Sequence, residues 1–111
     1  MDNSLKESLD HANKMKVFNN QLRLLKEKYL ERNIHFTIGH QFTIDLKLIN
    51  YCITLKNQNK IKDVIMLDDY DLPVRIDDLQ SFYDNIMDLY QQNLNAYIVE
   101  YNKLVQDKGR I

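Results

Sequence analysis

Residues Ile34 to Asp45 read IHFTIGHQFTID and decide the fold class of this 111-residue chain. Apolar and polar residues alternate on both sides of Gly39, which is the period-two pattern of β-strands. Asp45 is a favoured helix N-cap, and apolar residues follow it at helical spacing. The stretch therefore predicts a β-hairpin that leads directly into a helix.

The length of the hairpin loop follows from keeping one face apolar. A two-residue loop at Gly39 and His40 would leave the apolar residues of the two strands on opposite faces. A three-residue loop, Gly39 to Gln41, pairs Ile38 with Phe42 and keeps them together, so we expect the longer loop. On this register one face carries the apolar side chains of Ile34, Phe36, Ile38, Phe42 and Ile44.

A second helix and a second hairpin follow in the chain. The helix begins after Asp45, runs for about three turns and has one apolar side, formed by Leu48, Ile49, Cys52 and Leu55. The hairpin joins Val64–Leu67 to Leu72–Ile76 through a turn at Asp68–Asp71. Because Pro73 has no amide donor, its strand is expected at a sheet edge.

Two long helices are predicted at the ends of the chain. Ser4 and Glu7 form a capping box for the first, which extends to about Arg32. Asp77 caps the last, with Gln80 as its box partner, and Gly109 is a plausible stop. The first helix carries an a/d stripe typical of coiled coils, formed by Met15, Phe18, Leu22, Leu25 and Tyr29.

The pattern as a whole predicts an α+β fold: a long helix, a hairpin, a short helix, a hairpin and a long helix, with a small antiparallel sheet packed on helices. We expect residues 1–33 to form a helical arm that can oligomerise, and residues 34–111 a small α+β domain that folds as one unit. The terminal stripes are longer than this sheet can cover, so they need another helix or a second chain. The candidate interface is formed by Phe18, Leu22, Leu25, Tyr29, Tyr90, Leu94, Tyr97 and Tyr101.

Charge is uneven along the chain, although the net charge is only −1. Residues 63–88 contain one Arg and eight Asp. Asp68, Asp69 and Asp71 are the candidate acidic surface within this segment. Three carboxylates in one turn are also a pattern that calcium prefers, but Asp is a common turn residue and no complete calcium loop is present. We therefore favour an ordinary turn.

Catalytic and cofactor motifs are missing from the sequence. His35 and His40 have no cysteine nearby to complete a zinc site, and Cys52, the single cysteine, lies on the apolar side of a short helix, as a core residue does. We expect no enzyme activity, no cofactor and no metal. The sequence lacks the cluster of basic residues that is typical of nucleic-acid binding. No apolar run is long enough for a membrane helix.

The order of these parts resembles an uncharacterised domain that recurs at the C-terminal ends of phage tail-fibre and tail-assembly proteins. The resemblance covers about residues 23–106. It rests on three segments: Ile34-His35-Phe36-Thr37-Ile38-Gly39, Phe42-Thr43-Ile44-Asp45 and Leu72-Pro73-Val74-Arg75-Ile76-Asp77-Asp78-Leu79. It implies a structural or assembly role in a virion, with no catalytic residues.

Two functions are therefore open at this point. The first is a non-enzymatic connector of a phage tail, fibre or baseplate, which forms homo-oligomers and contacts other phage structural proteins in the virion or, during assembly, in the host cytoplasm. The second is a small phage-encoded inhibitor whose acidic face occupies a basic site on a host protein. Neither function involves nucleic acid or membrane contacts.

Overall fold

A computed structural model describes residues 3–108 and confirms the α+β class. The predicted helix stop at Gly109 lies outside the described residues. In chain order the elements are α1 (Asn3–Arg32), β1 (Ile34–Thr37), β2 (His40–Thr43), α2 (Leu46–Asn57), β3 (Lys62–Leu67), β4 (Pro73–Asp78) and α3 (Leu79–Lys108).

The chain divides into two compact units. Unit 1 contains residues 3–30 and 94–108 of the described chain, which belong to α1 and α3. Unit 2 contains residues 31–93, with both hairpins, α2 and the first half of α3.

Unit 2 has a single buried apolar cluster. Strands β3 and β4 turn alternate side chains into it, as expected for a sheet with one solvated face, and α2 contributes the predicted Ile49, Cys52 and Leu55. The rings of Phe42 and Phe82 meet edge to face at 5.2 Å. The full cluster is Phe42, Ile44, Ile49, Cys52, Leu55, Val64, Met66, Val74, Ile76, Leu79, Phe82 and Ile86.

The loop of the first hairpin differs from the sequence prediction, which was wrong in both length and register. The loop has two residues, Ile38 and Gly39, with φ angles of 53° and 76°. Two successive positive φ angles are typical of the type I′ turn, whose twist matches that of the flanking strands. His35 therefore pairs with Phe42, and the predicted three-residue loop does not form.

The new register exchanges the two faces of β1. His35 lies on the core side, where its ring is 5.7 Å from that of Phe82, and burial lowers its pKa. Phe36 and Ile38, which were expected in the core, are each 69% exposed. Strand alternation alone does not show which of its two sides is buried, and here the turn geometry decides it.

The predicted caps have mixed outcomes. Asp45 caps α2, since its Oδ1 accepts from Leu48 N–H at 2.8 Å. The cap of α3 is Asp78 and not Asp77, because β4 continues to Asp78 and its Oδ1 accepts from the Ser81 N–H at 3.3 Å; the Ser81 hydroxyl also donates to its Oδ2 at 2.9 Å. Ser4, the predicted cap of α1, lies inside that helix.

Two asparagines form a buried pair in unit 2 and close the C-terminal end of α1. Asn93 Nδ2 donates to Arg32 O and to Asn33 Oδ1, both at 2.8 Å. Asn33 O in turn accepts from Ile44 N–H at 2.7 Å. Because the last carbonyls of a helix have no partner inside the helix, this amide satisfies one of them.

We predict that Asn93→Asp lowers the free energy of unfolding by about 2 kcal/mol or more, because a carboxylate offers no donor to two buried acceptors. Urea denaturation measures the change. Asn95→Asp, at an exposed position of the same helix, is the control and should change stability little. Equal losses in the two variants would show that the buried pair has no special role.

Candidate interaction site

The helices of unit 1 pack as an antiparallel pair through specific side chains. The rings of Tyr29 and Tyr97 meet edge to face at 4.7 Å. Lys28 Nζ lies 3.3 Å from Glu100 Oε1. These two contacts identify the side of α3 that faces α1, and they fix the register of the pair.

Seven of the eight residues predicted for the interface lie in unit 1, and two of them, Tyr29 and Tyr97, are in contact. Tyr90 is the exception, since it packs against the core of unit 2. The other seven belong to unit 1, where Tyr101 is exposed and the remaining six are half-buried. The six are Phe18, Leu22, Leu25, Tyr29, Leu94 and Tyr97. No residue of α1 is fully buried, so the pair covers its own apolar surface only in part.

A second row of apolar side chains follows α3 on another side. Leu94, Ile98, Tyr101 and Val105 are spaced by four, three and four residues; we call them the outer α3 row. At about 100° per residue, Ile98 is nearly opposite Glu100, which bonds to α1. Ile98 is 51% exposed. The sequence pattern predicts a single apolar stripe on α3, and that prediction did not include Ile98 and Val105.

The beginning of α1 is also uncovered. Residues 3–14 are all exposed, including Leu5 and Leu9. An isolated helix shorter than about 12–15 residues is marginal in water. An amphipathic end of this kind gains stability when another protein surface covers its leucines.

The predicted acidic turn has mainly internal partners. Asp68 is buried; its Oδ2 lies 2.7 Å from His40 Nδ1, and its Oδ1 accepts from the N–H groups of Tyr70 and Leu72 at 2.8 and 2.9 Å. These bonds fix the turn and connect it to β2.

Asp69 connects the two hairpins in the manner of a strand. Its N–H donates to Gln41 O at 2.9 Å. Its carboxylate accepts from Thr43 N–H and the Thr43 hydroxyl, both at 2.8 Å, and from Gln41 Nε2 at 2.9 Å. Within the acidic turn, Asp71 is exposed and has a φ of 60°. We call the bonds of Asp68 and Asp69 to β2 the aspartate clasp.

Sequence reasoning missed the three β2 residues of this clasp, namely His40, Gln41 and Thr43. The predicted three-residue loop placed His40 and Gln41 outside the strand, and no partner was expected for Thr43. The available signal was a run of turn aspartates beside a short polar strand, but nothing in the sequence indicates that the two segments meet.

Other candidate chemistry is limited. Among residues 3–108, no group of three or more His, Cys, Asp or Glu side chains is placed to hold a metal ion. Burial raises the pKa of Cys52 to about 11, so its thiol is protonated at neutral pH. Within the same residues, no helix combines the length and apolar character needed to cross a membrane.

Comparisons with protein-family models, with curated proteins and with solved structures find no match to this chain.

The clasp generates a stability prediction. Asp68→Asn should lower the melting temperature by about 4 °C or more, because the amide loses the charge-assisted bond to His40. Asp71→Asn changes the same charge at an exposed position that also suits Asn, so its melting temperature should stay close to that of the parent. Calorimetry measures both, and a loss as large in the control would contradict the assignment.

The clasp also predicts a pH dependence. The hydrogen bond to His40 holds the pKa of Asp68 below its usual range, and the bond from the Ser81 hydroxyl does the same for Asp78. The stability that each contributes is present above about pH 4 and is lost as the pH falls through the lowered folded-state pKa. We therefore expect the unfolding free energy, measured between about pH 2 and pH 7, to fall less steeply below about pH 4 in Asp68→Asn than in the unsubstituted protein. Parallel curves would contradict this account.

Proposed function

We propose that the protein is a non-enzymatic connector that joins neighbouring proteins through the helices of unit 1. The observation that carries this proposal is the outer α3 row together with the uncovered first turns of α1. Within the row Ile98 and Tyr101 are exposed while Leu94 and Val105 are half-buried, and Leu5 and Leu9 are exposed at the start of α1.

The flanks of the outer α3 row favour a protein neighbour. Gln91, Asn95, Asn102 and Gln106 border this row at helical spacing and are uncharged. Interface cores are depleted of charged residues and enriched in aromatic ones such as tyrosine. Tyr101, in the middle of the row, fits a surface that is partly apolar and partly wet.

We further propose that the assembly is a phage particle, with the protein in its tail, fibre or baseplate. The support for this part is the resemblance of residues 34–39, 42–45 and 72–79 to the domain of phage tail-fibre and tail-assembly proteins. The connector would then form homo-oligomers and contact other structural proteins of the virion, after assembly in the host cytoplasm.

The sharpest test is Ile98→Lys in the full chain. A charge in the middle of the outer α3 row should weaken association by about tenfold or more, since burying an unpaired charge costs several kcal/mol. Light scattering measures self-association, and mass spectrometry of purified particles measures incorporation. The melting temperature of the dilute protein should change little, because Ile98 is 51% exposed.

Val99→Lys is the matched control, since Val99 is 52% exposed and points about 100° away from Ile98. It should leave association and incorporation unchanged. Loss of incorporation in both variants, or in neither, would contradict the proposal. Salt-sensitive binding to a basic host protein, with no presence in particles, would instead favour the inhibitor.

A further inference from the structure

The two helices of unit 1 have the arrangement of half a four-helix bundle. The side of α3 that faces α1 carries Tyr97 and Glu100, and at about 100° per residue its centre lies about 100° from that of the outer α3 row. Four helices packed at the corners of a square each contact two neighbours, through sides about a right angle apart. Helix α1 covers one of these sides, whereas Ile98 and Tyr101 are exposed on the other. A second helix pair would complete the bundle.

The outer α3 row is complementary to itself. Its spacing of four, three and four residues is the same in both directions, so a two-fold axis between Ile98 and Tyr101 aligns the rows of two antiparallel copies. Ile98 then lies against Tyr101 of the second copy, and Leu94 lies against Val105 of the second copy. Each contact occurs twice, as in an isologous interface, and places a smaller side chain against a larger one. A parallel pair would instead place two tyrosine rings at one level.

The distribution of charge on α3 also favours a second copy. Residues 91–107 contain three charged side chains, Glu100, Lys103 and Asp107, and at helical spacing all three lie more than about 120° from the centre of the row. The antiparallel pairing therefore brings no charge of one copy against a like charge of the other. It places Asn95 beside Asn102 of the second copy, where each amide is able both to donate and to accept.

We propose that two copies of the protein pair antiparallel through the outer α3 row, and that their two α1–α3 pairs form a four-helix bundle. This inference rests on the proposed function and names the neighbour of one of its two surfaces. The uncovered start of α1 then remains for the other proteins of the assembly. The dimer is tested with the full chain, because α1 and α3 belong to one continuous protein.

Mixed cysteine variants at the two ends of the row test the register. Helix axes about 8–10 Å apart place facing Cα atoms about 4–6 Å apart, since the Cα radius is about 2.3 Å, and disulfides form over this range. We expect mild oxidation to join the Leu94→Cys chain to the Val105→Cys chain in a mixture. Either sample alone should give few crosslinks, because equal residues are offset by about 16 Å along the helices, and the native Cys52 is fully buried. No enrichment of the mixed crosslink would overturn the pairing.

Charge variants beside the row test the antiparallel direction. Asn95 and Asn102 are exposed, so their substitution leaves the packing of α3 on α1 intact. Asn95→Glu with Asn102→Lys should strengthen the dimer roughly threefold, because two opposite-charge pairs form across the axis. Asn95→Lys with Asn102→Lys, the matched variant, should weaken it roughly tenfold, because lysines then face lysines. Sedimentation measures the dissociation constants, and equal values in the two variants would overturn the proposal.

Failure of this pairing differs from failure of the connector function. Rising concentrations of the purified chain should give a dimer by light scattering, and Ile98→Lys should stay monomeric at the same concentrations. A parent chain that stays monomeric, while Ile98→Lys still loses incorporation into particles, would overturn the self-pairing and assign the row to a different protein. A dimer that forms in this register but is absent from particles would support the pairing and contradict the connector function.

Discussion

The hydrogen bonds of Asp69 to β2 are the interaction on which the sheet arrangement of unit 2 depends. Each hairpin is a two-stranded sheet, and a hairpin of that size is marginally stable alone. Asp69 joins them, because its N–H donates to Gln41 O and its carboxylate accepts from Thr43 N–H. These two backbone groups of β2 are the ones that a pairing strand would use. Asp68 holds the turn in the conformation that allows this. Apolar side chains from both hairpins then pack in the same core cluster.

The two units use their long helices in different ways. In unit 2, the first half of α3 supplies Leu79, Phe82 and Ile86 to a closed core. In unit 1, α1 and the second half of α3 cover each other only partly, because two helices have too little surface to enclose both stripes. The same continuous helix therefore has a structural role at one end and an exposed apolar surface at the other. That surface is the basis of the proposed connector function.

The sequence was sufficient for the element order, the fold class and the Asp45 cap, because periodicity and capping act over a few residues. It was insufficient for the first hairpin, where Ile38 adopts a positive φ that is unusual for a β-branched residue. Alternation predicted that Phe36 faces the core, and the two-residue turn places His35 there. The aspartate clasp joins residues 26 to 28 positions apart, which no local pattern reveals.

The central claim is that unit 1 presents helix surfaces that only a protein neighbour completes. Hydrogen exchange at residues 3–14 of α1 tests it most directly, because exchange reports local opening. In the dilute protein these amides should exchange much faster than those of residues 18–30, and they should become protected in the oligomer or the assembled particle. Strong protection in the dilute monomer, or exchange that assembly leaves unchanged, would contradict the claim.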